Sequence, residues 1–152
     1  MTGAVPDEVP HGQVVVAESG EGPFTQHVRM GRHLAVGDEP VAVGGLDAGP
    51  NPYEYLLAAL GNCTSMTLRM YANLKRFPLE RVQVFLSHRK IHAQDCAECE
   101  TKVGMLDEIE RRIELVGPLS AEQRQKLLEI ANKCPVHRTL QSDIRIVTAL
   151  QD

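Results

Sequence analysis

The sequence predicts a single α+β domain, and three features carry that expectation. Short strand-like runs fill the first forty residues, and one long capped helix follows them. Two strands, a second capped helix and a last extended run complete the chain. No repeat, low-complexity tract or linker divides residues 1–152. At 152 residues, with 43% hydrophobic and 24% charged side chains, the chain can bury a sizeable core. Tryptophan is absent, so that core must come from Leu, Ile, Val, Ala and Met.

The early strands are Val14, Val15 and Val16 after Gly12, then FTQHVRM (24–30) and RHLAVGD (32–38), broken by turn residues. The turn-rich VGGLDAGPNP (43–52) leads into the long helix. Asn51 stands at its N-cap, Pro52 at N1 and Glu54 at N3 in capping-box register. Leu56, Leu60, Cys63, Thr67, Met70 and Leu74 then recur at helical spacing, with Met66 and Met70 read as core filler, until Phe77-Pro78 stops the helix. In ERVQVFLSHRKIH (80–92), Val82, Val84 and Leu86 alternate with polar residues, as on a strand with one wet face. A partner strand is expected near Ile109–Val116. After Gly117-Pro118, Ser120 and Gln123 form a second capping box, opening a helix with Leu127, Ile130 or Ala131, and Cys134 on one face. A final strand is expected over Ile144–Leu150.

Composition removes some functions. The formal net charge is −4 and the basic residues are scattered, which argues against nucleic acid as a partner. The longest apolar run, around Leu56–Leu60, is far too short to span a bilayer, so no membrane role is expected. The opening MTGAVPDEVPHG has neither a basic head nor an apolar stretch, so a cytoplasmic location with reduced thiols is expected.

Four cysteines remain to be explained: Cys63, Cys96, Cys99 and Cys134. Taken singly, Cys63 and Cys134 read as small core hydrophobes. Because both lie on apolar helix faces, their sulfurs can meet where the helices pack, as a dithiol able to cycle. Their spacing matches neither C-x-x-C nor a zinc pattern, so such a pairing would be tertiary. A reactive thiolate there needs a cation, since burial raises a thiol's pKa and the start of the helix is about three turns away. Arg29, Arg32, Arg69, His137 and Arg138 are the candidates; His137 alternatively caps the helix end as a cation. The C-x-x-C in DCAEC (95–99) leaves three readings open. They are half a zinc site completed by His88 and His92, a second redox pair, or an exposed connector with incidental thiols. A Cys-His hydrolase lacks a third member.

Two segments, GPNPYEYLLAALGNCTSMTLRMYA and IANKCPVHRTL, resemble the signature regions of the OsmC/Ohr superfamily, the organic hydroperoxide reductases and their osmotically induced relatives. The resemblance runs from about Gly44 onwards. It implies an α+β fold in which antiparallel sheets wrap around the cysteine-bearing helices of an intertwined homodimer. It also implies a thiol-dependent peroxidase with no cofactor and no metal. Cys63 matches the attacking cysteine and Cys134 the resolving one, with an organic hydroperoxide as substrate and an external dithiol or lipoyl group as reductant. The family arginine comes from the early strands, which places Arg29 first and Arg32 second. The family sequence N-P-E reads here Asn51-Pro52-Tyr53-Glu54, so Tyr53 takes the acid's position and Glu54 falls about 100° further around the helix. That shift supports the alternative of a redox-sensing or small-ligand-binding protein with little turnover.

Overall fold

The computed structural model describes residues 5–151, whose backbone gathers into two compact units that divide between Leu56 and Leu57. In the first unit β1 (Val14–Glu18), β2 (Gln26–Met30) and β3 (His33–Gly37) form an antiparallel sheet in that order, with Val16 opposite Val28 and Val28 opposite Ala35. Asp38, just beyond β3, is buried and organises the following loop. Its carboxylate accepts from the amides of Glu39, Leu46 and Ala48 and from the Thr25 hydroxyl. Burial pushes the Asp38 pKa up, but the backbone donors and Thr25 outweigh it and hold the acid below its ordinary value. The Tyr55 hydroxyl donates to the Val36 carbonyl, tying the start of the long helix to β3.

That helix, α1, spans Pro52–Lys75. Its capping box forms as expected: the Glu54 amide donates to Asn51 Oδ1 at 2.9 Å, and the Asn51 amide to Glu54 Oε2 at 2.8 Å. Arg76, at φ 55°, ends it before Phe77-Pro78.

In the second unit the buried row of α1 is Leu60, Thr64, Leu68 and Ala72, a four-residue step. The expected stripe ending in Met70 and Leu74 is therefore corrected. Met66, Met70 and Leu74 are 69%, 68% and 75% exposed, so the two methionines are not core filler here. A helix apolar around most of its circumference offers two faces, and periodicity does not choose between them. Small side chains decide. A Cβ on Gly61 would stand 2.8 Å from Leu86 Cδ1, so the helix lies close on the sheet where Gly61 leaves room.

The sheet of this unit is the pair β4 (Arg81–His92) and β5 (Met105–Val116), antiparallel from Arg81 opposite Val116 to His92 opposite Met105. Gly117, at φ 137°, follows β5, and a Cβ there would lie 2.2 Å from the Pro78 carbonyl oxygen. Ser120 and Gln123 complete their capping box at the head of α2 (Ala121–Ala131). Leu68, Ala72, Leu79, Leu119, Leu127, Ile130 and Ala131 close the core, with Tyr71 edge-on to Phe77.

Two further expectations change. Cys134 does not finish the second helix; it caps a separate short one, α3 (Pro135–Leu140). A residue before proline is driven out of the helical region, and Cys134 sits extended at φ −63°, ψ 143°. The expected strand over 144–150 forms no ladder among the described residues, and Ile146, Val147 and Leu150 are 84%, 75% and 97% exposed. An alternating run favours extension, but a strand also needs a neighbouring backbone to pair with. Among the described residues no helix is long and apolar enough to cross a membrane.

Candidate active site

All the groups of this site lie in the second unit. Helix α1 presents Cys63 and Thr64, and the turn from α2 to α3 brings Cys134 to them. Consecutive amides at the head of α3 hold the two sulfurs: Val136 N–H donates to Cys63 Sγ and His137 N–H to Cys134 Sγ, each at 3.4 Å. Pro135 at N1 makes this possible, because it turns the Cys134 side chain back over the first turn as a cap. Cys134 is fully buried, whereas Cys63 is half-buried, and both are free thiols.

Thr64 is fully buried between them and the sheet. Its hydroxyl lies 2.7 Å from the Leu60 carbonyl, to which it donates, and 3.8 Å from Cys134 Sγ. Arg111 reaches the same oxygen from β5. Its Nη1 donates to Thr64 Oγ1 at 3.0 Å and to the Ala131 carbonyl at 3.2 Å, and Nη2 donates to Asn132 Oδ1 at 2.9 Å. The consequence is electrostatic. Burial raises the Cys134 pKa, but the His137 amide, the hydrogen bonds with Thr64 and Cys63, and the Arg111 charge together hold it below that of an ordinary thiol. The same surroundings push His137 down, through burial first and then Arg111. Its ring is therefore neutral near pH 7, and its backbone amide, not an imidazolium, serves the sulfur; the cationic cap expected of it is corrected.

Arg111 is absent from the sequence-based candidates, yet a signal for it exists. Ile109, Arg111, Ile113 and Leu115 share one parity of β5, so between 109 and 115 an arginine interrupts a run of apolar side chains on one face. The other candidates have different contacts. Arg29, in β2, donates to the Arg32 carbonyl at 3.1 Å, and its Nε is buried with no acceptor among the described residues. Arg69 donates to the carbonyls of Leu79 and Glu80, fastening α1 to the approach to β4. Glu54 is engaged in the helix cap. A cleft of about 280 Å³, lined in part by Leu60, Ile109, Arg111, His137 and Leu140, opens beside the site.

The C-x-x-C resolves differently from its zinc and incidental-thiol readings. Cys96 and Cys99 are joined in a disulfide, which also departs from the expectation of reduced thiols throughout. His88 contacts Asp107 at 2.8 Å, and no group of three or more metal-ligating side chains occurs among the described residues.

An α+β chain with two free cysteines brought together beside a half-buried arginine defines the class: a paired-thiol protein built on antiparallel sheets and helices. The OsmC-like protein family profile matches residues 44–149, and the chain belongs to that family. Solved structures share the fold at low identity. An OsmC-like protein from Mycoplasma pneumoniae superposes with a TM-score of 0.67 at 18% identity, over 85% of this chain and 86% of that one. An organic hydroperoxide resistance protein OsmC from Legionella pneumophila gives 0.60 at 18% identity, over 85% and 88%. The organic hydroperoxide resistance protein OhrB of Bacillus subtilis gives 0.58 at 17% identity, over 86% and 90%. No curated protein matches the chain.

Proposed function

We propose that the protein is a thiol-dependent peroxidase that reduces organic hydroperoxides, with Cys63 as nucleophile and Cys134 as resolving thiol. The observation that carries this reading is the pair of sulfurs held by adjacent amides, one half-exposed and one buried beneath Arg111. Hydroperoxide resistance in the names of the Legionella and Bacillus relatives supports the substrate class.

The roles follow from access and charge. A hydrogen bond with Cys63 is among the causes that lower the Cys134 pKa, so the two sulfurs act on one another. Cys63 is the sulfur that solvent reaches. As a thiolate it attacks the terminal oxygen of the hydroperoxide; the O–O bond breaks, the alkoxide leaves as alcohol after taking a proton, and Cys63 becomes a sulfenic acid. Cys134 then attacks that sulfur, and water leaves as the disulfide forms. An external dithiol or lipoyl-type group attacks the accessible Cys63, expelling Cys134. The environment that lowers the Cys134 pKa makes it the better leaving group, because a stabilised thiolate departs faster. Arg111 supplies the activating charge that the family resemblance gave to Arg29, and Glu54 caps the helix.

A homodimer accompanies this reading. Met66, Met70 and Leu74 on α1, and Val14 and Val16 on β1, are more than half exposed in the single chain, a quantity of apolar surface that a second copy would cover. The deciding experiment is consumption of cumene hydroperoxide by reduced protein with a dithiol reductant. Wild type turns over, Cys63→Ser does not, and one equivalent of peroxide produces a Cys63–Cys134 disulfide found by peptide mass spectrometry. Undiminished turnover in Cys63→Ser overturns the proposal. The second reading, a redox sensor or ligand binder of this fold, draws support from the guanidinium's hydrogen-bond acceptors, which are all neutral groups. It requires the same disulfide to form without sustained turnover.

A further inference from the structure

The connector between β4 and β5 holds the chain's other sulfur chemistry. Cys96 and Cys99 close a small disulfide ring, and both residues are half-buried while Asp95, Ala97, Glu98 and Glu100 around them are exposed. The turn is folded by its own backbone, with the Cys96 amide donating to the Ala93 carbonyl and the Cys99 amide to the Cys96 carbonyl. Lys102 Nζ rests on the Cys96 carbonyl at 2.6 Å and on the Ala97 carbonyl at 3.4 Å, so an ammonium lies against the ring.

Two arguments separate this disulfide from a staple and from the Cys63 site. A ring with a sequence separation of 3 removes little freedom from an unfolded chain, because the entropic gain of a cross-link grows with the loop it closes. It is also remote from Cys134. Arg111, which reaches the thiol site, pairs with Leu86; the sheet continues from there to His92, six residues or about 20 Å along the strand, before the connector begins. The two pairs of one chain cannot exchange directly across that length of rigid ladder.

We propose that Cys96–Cys99 is a second, independent thiol–disulfide exchange site that accepts two electrons from an external dithiol. A thiolate of the dithiol attacks one ring sulfur and the S–S bond breaks. The departing cysteine thiolate takes a proton from solvent. The dithiol's second thiol then displaces the other cysteine, leaving two cysteine thiols and an oxidised, disulfide-bonded reductant. The exchange needs neither peroxide nor Cys63, and so does not rest on the peroxidase reading.

The full-length protein is equilibrated with graded ratios of reduced to oxidised dithiothreitol, quenched with acid, alkylated and digested with trypsin. Cleavage after Lys90 and Lys102 isolates Cys96 and Cys99 on one peptide, apart from Cys63 and Cys134. The expected result is that both alkyl groups appear together, reversibly, as one two-electron transition. Its midpoint stays put in a Cys63→Ser/Cys134→Ser variant; should that variant not fold, the wild-type peptides resolve the two transitions. Three results overturn the proposal: free Cys96 and Cys99 in the most oxidising mixture, a disulfide untouched by the most reducing one, or a midpoint displaced about tenfold in dithiol ratio by the double variant. Zinc that remains on the reduced pair and blocks alkylation in metal-supplemented buffer overturns it too.

Discussion

Replacing Arg111 by methionine keeps the aliphatic stem and removes the charge and all three hydrogen bonds. The two legs through Thr64 Oγ1, 3.0 Å from Nη1 and 3.8 Å to Cys134 Sγ, keep guanidinium and sulfur within about 7 Å. At that separation, with an effective dielectric constant of about 20, a unit charge stabilises a thiolate by ~2 kcal/mol. Below the pair's titration, that loss corresponds to a thiolate population smaller by roughly 10- to 30-fold. The assay is ultraviolet thiolate absorbance between about pH 5 and 9, with Arg29→Met as control. Arg111→Met should show roughly 10- to 30-fold less Cys134 thiolate at the acid end and converge with wild type at the alkaline end, while Arg29→Met stays within about twofold. Folding is checked in parallel. The Ala131 carbonyl keeps the Cys134 amide as a donor, but Asn132 Oδ1 loses its charged partner, for a cost of about 1–3 kcal/mol. A folded Arg111→Met whose profile overlays wild type, or a larger effect from Arg29→Met, refutes the assignment of Arg111.

Thr64→Val conserves shape but takes the acceptor from Arg111 and a hydrogen bond from Cys134. Ultraviolet thiolate absorbance should titrate at higher pH than in wild type, and the fold should lose about 1–3 kcal/mol in urea. Asp38 has a lowered folded pKa, so its contribution to stability is present above the unfolded carboxyl value of about 3.9 and disappears as pH falls through the folded one. Melting temperature should therefore drop more steeply below about pH 4 in wild type than in Asp38→Asn, which is less stable at neutral pH and nearly flat in that window. Gly117→Ala puts a methyl at φ 137° against the Pro78 carbonyl and should cost about 3 kcal/mol or more by denaturant melt. An unchanged midpoint would mean that the turn between β5 and α2 is not under that constraint.

The elements most legible in the sequence were those with chemical punctuation. Asn51-Pro52 with Glu54, and Ser120 with Gln123, mark helix starts whose side chains do in the structure what their spacing implies. Alternation in 80–92 delivers β4 almost to the residue. Where a helix was expected to carry Cys134 on its face, the boundary moved: Pro135 begins a new helix, which makes Cys134 a cap. The strand expected over 144–150 failed for another reason. Propensity describes one segment, and pairing depends on a neighbouring backbone that lies nowhere in the segment's own sequence.

The candidate site divides along the same line. Cys63 and Cys134 were legible as thiols on or beside packed helices, although the stripe drawn through Cys63 was the wrong one; the buried row passes through Thr64. Arg111 is distant in sequence from both cysteines, so neither proximity along the chain nor the family resemblance points to it. Its position carried the information in another form. Between 109 and 115 one parity of β5 builds an apolar face, and a charge set into that face is tolerable only if its donors are satisfied, which fixes it to Thr64, Ala131 and Asn132. A residue that breaks a burial pattern at such a cost points towards chemistry that uses the charge. Here the same guanidinium that satisfies the turn after α2 also adds to the lowering of the Cys134 pKa, after the His137 amide and the hydrogen bonds with Thr64 and Cys63. The charge set into the sheet face therefore serves both the packing of the turn and the electrostatics of the buried thiol.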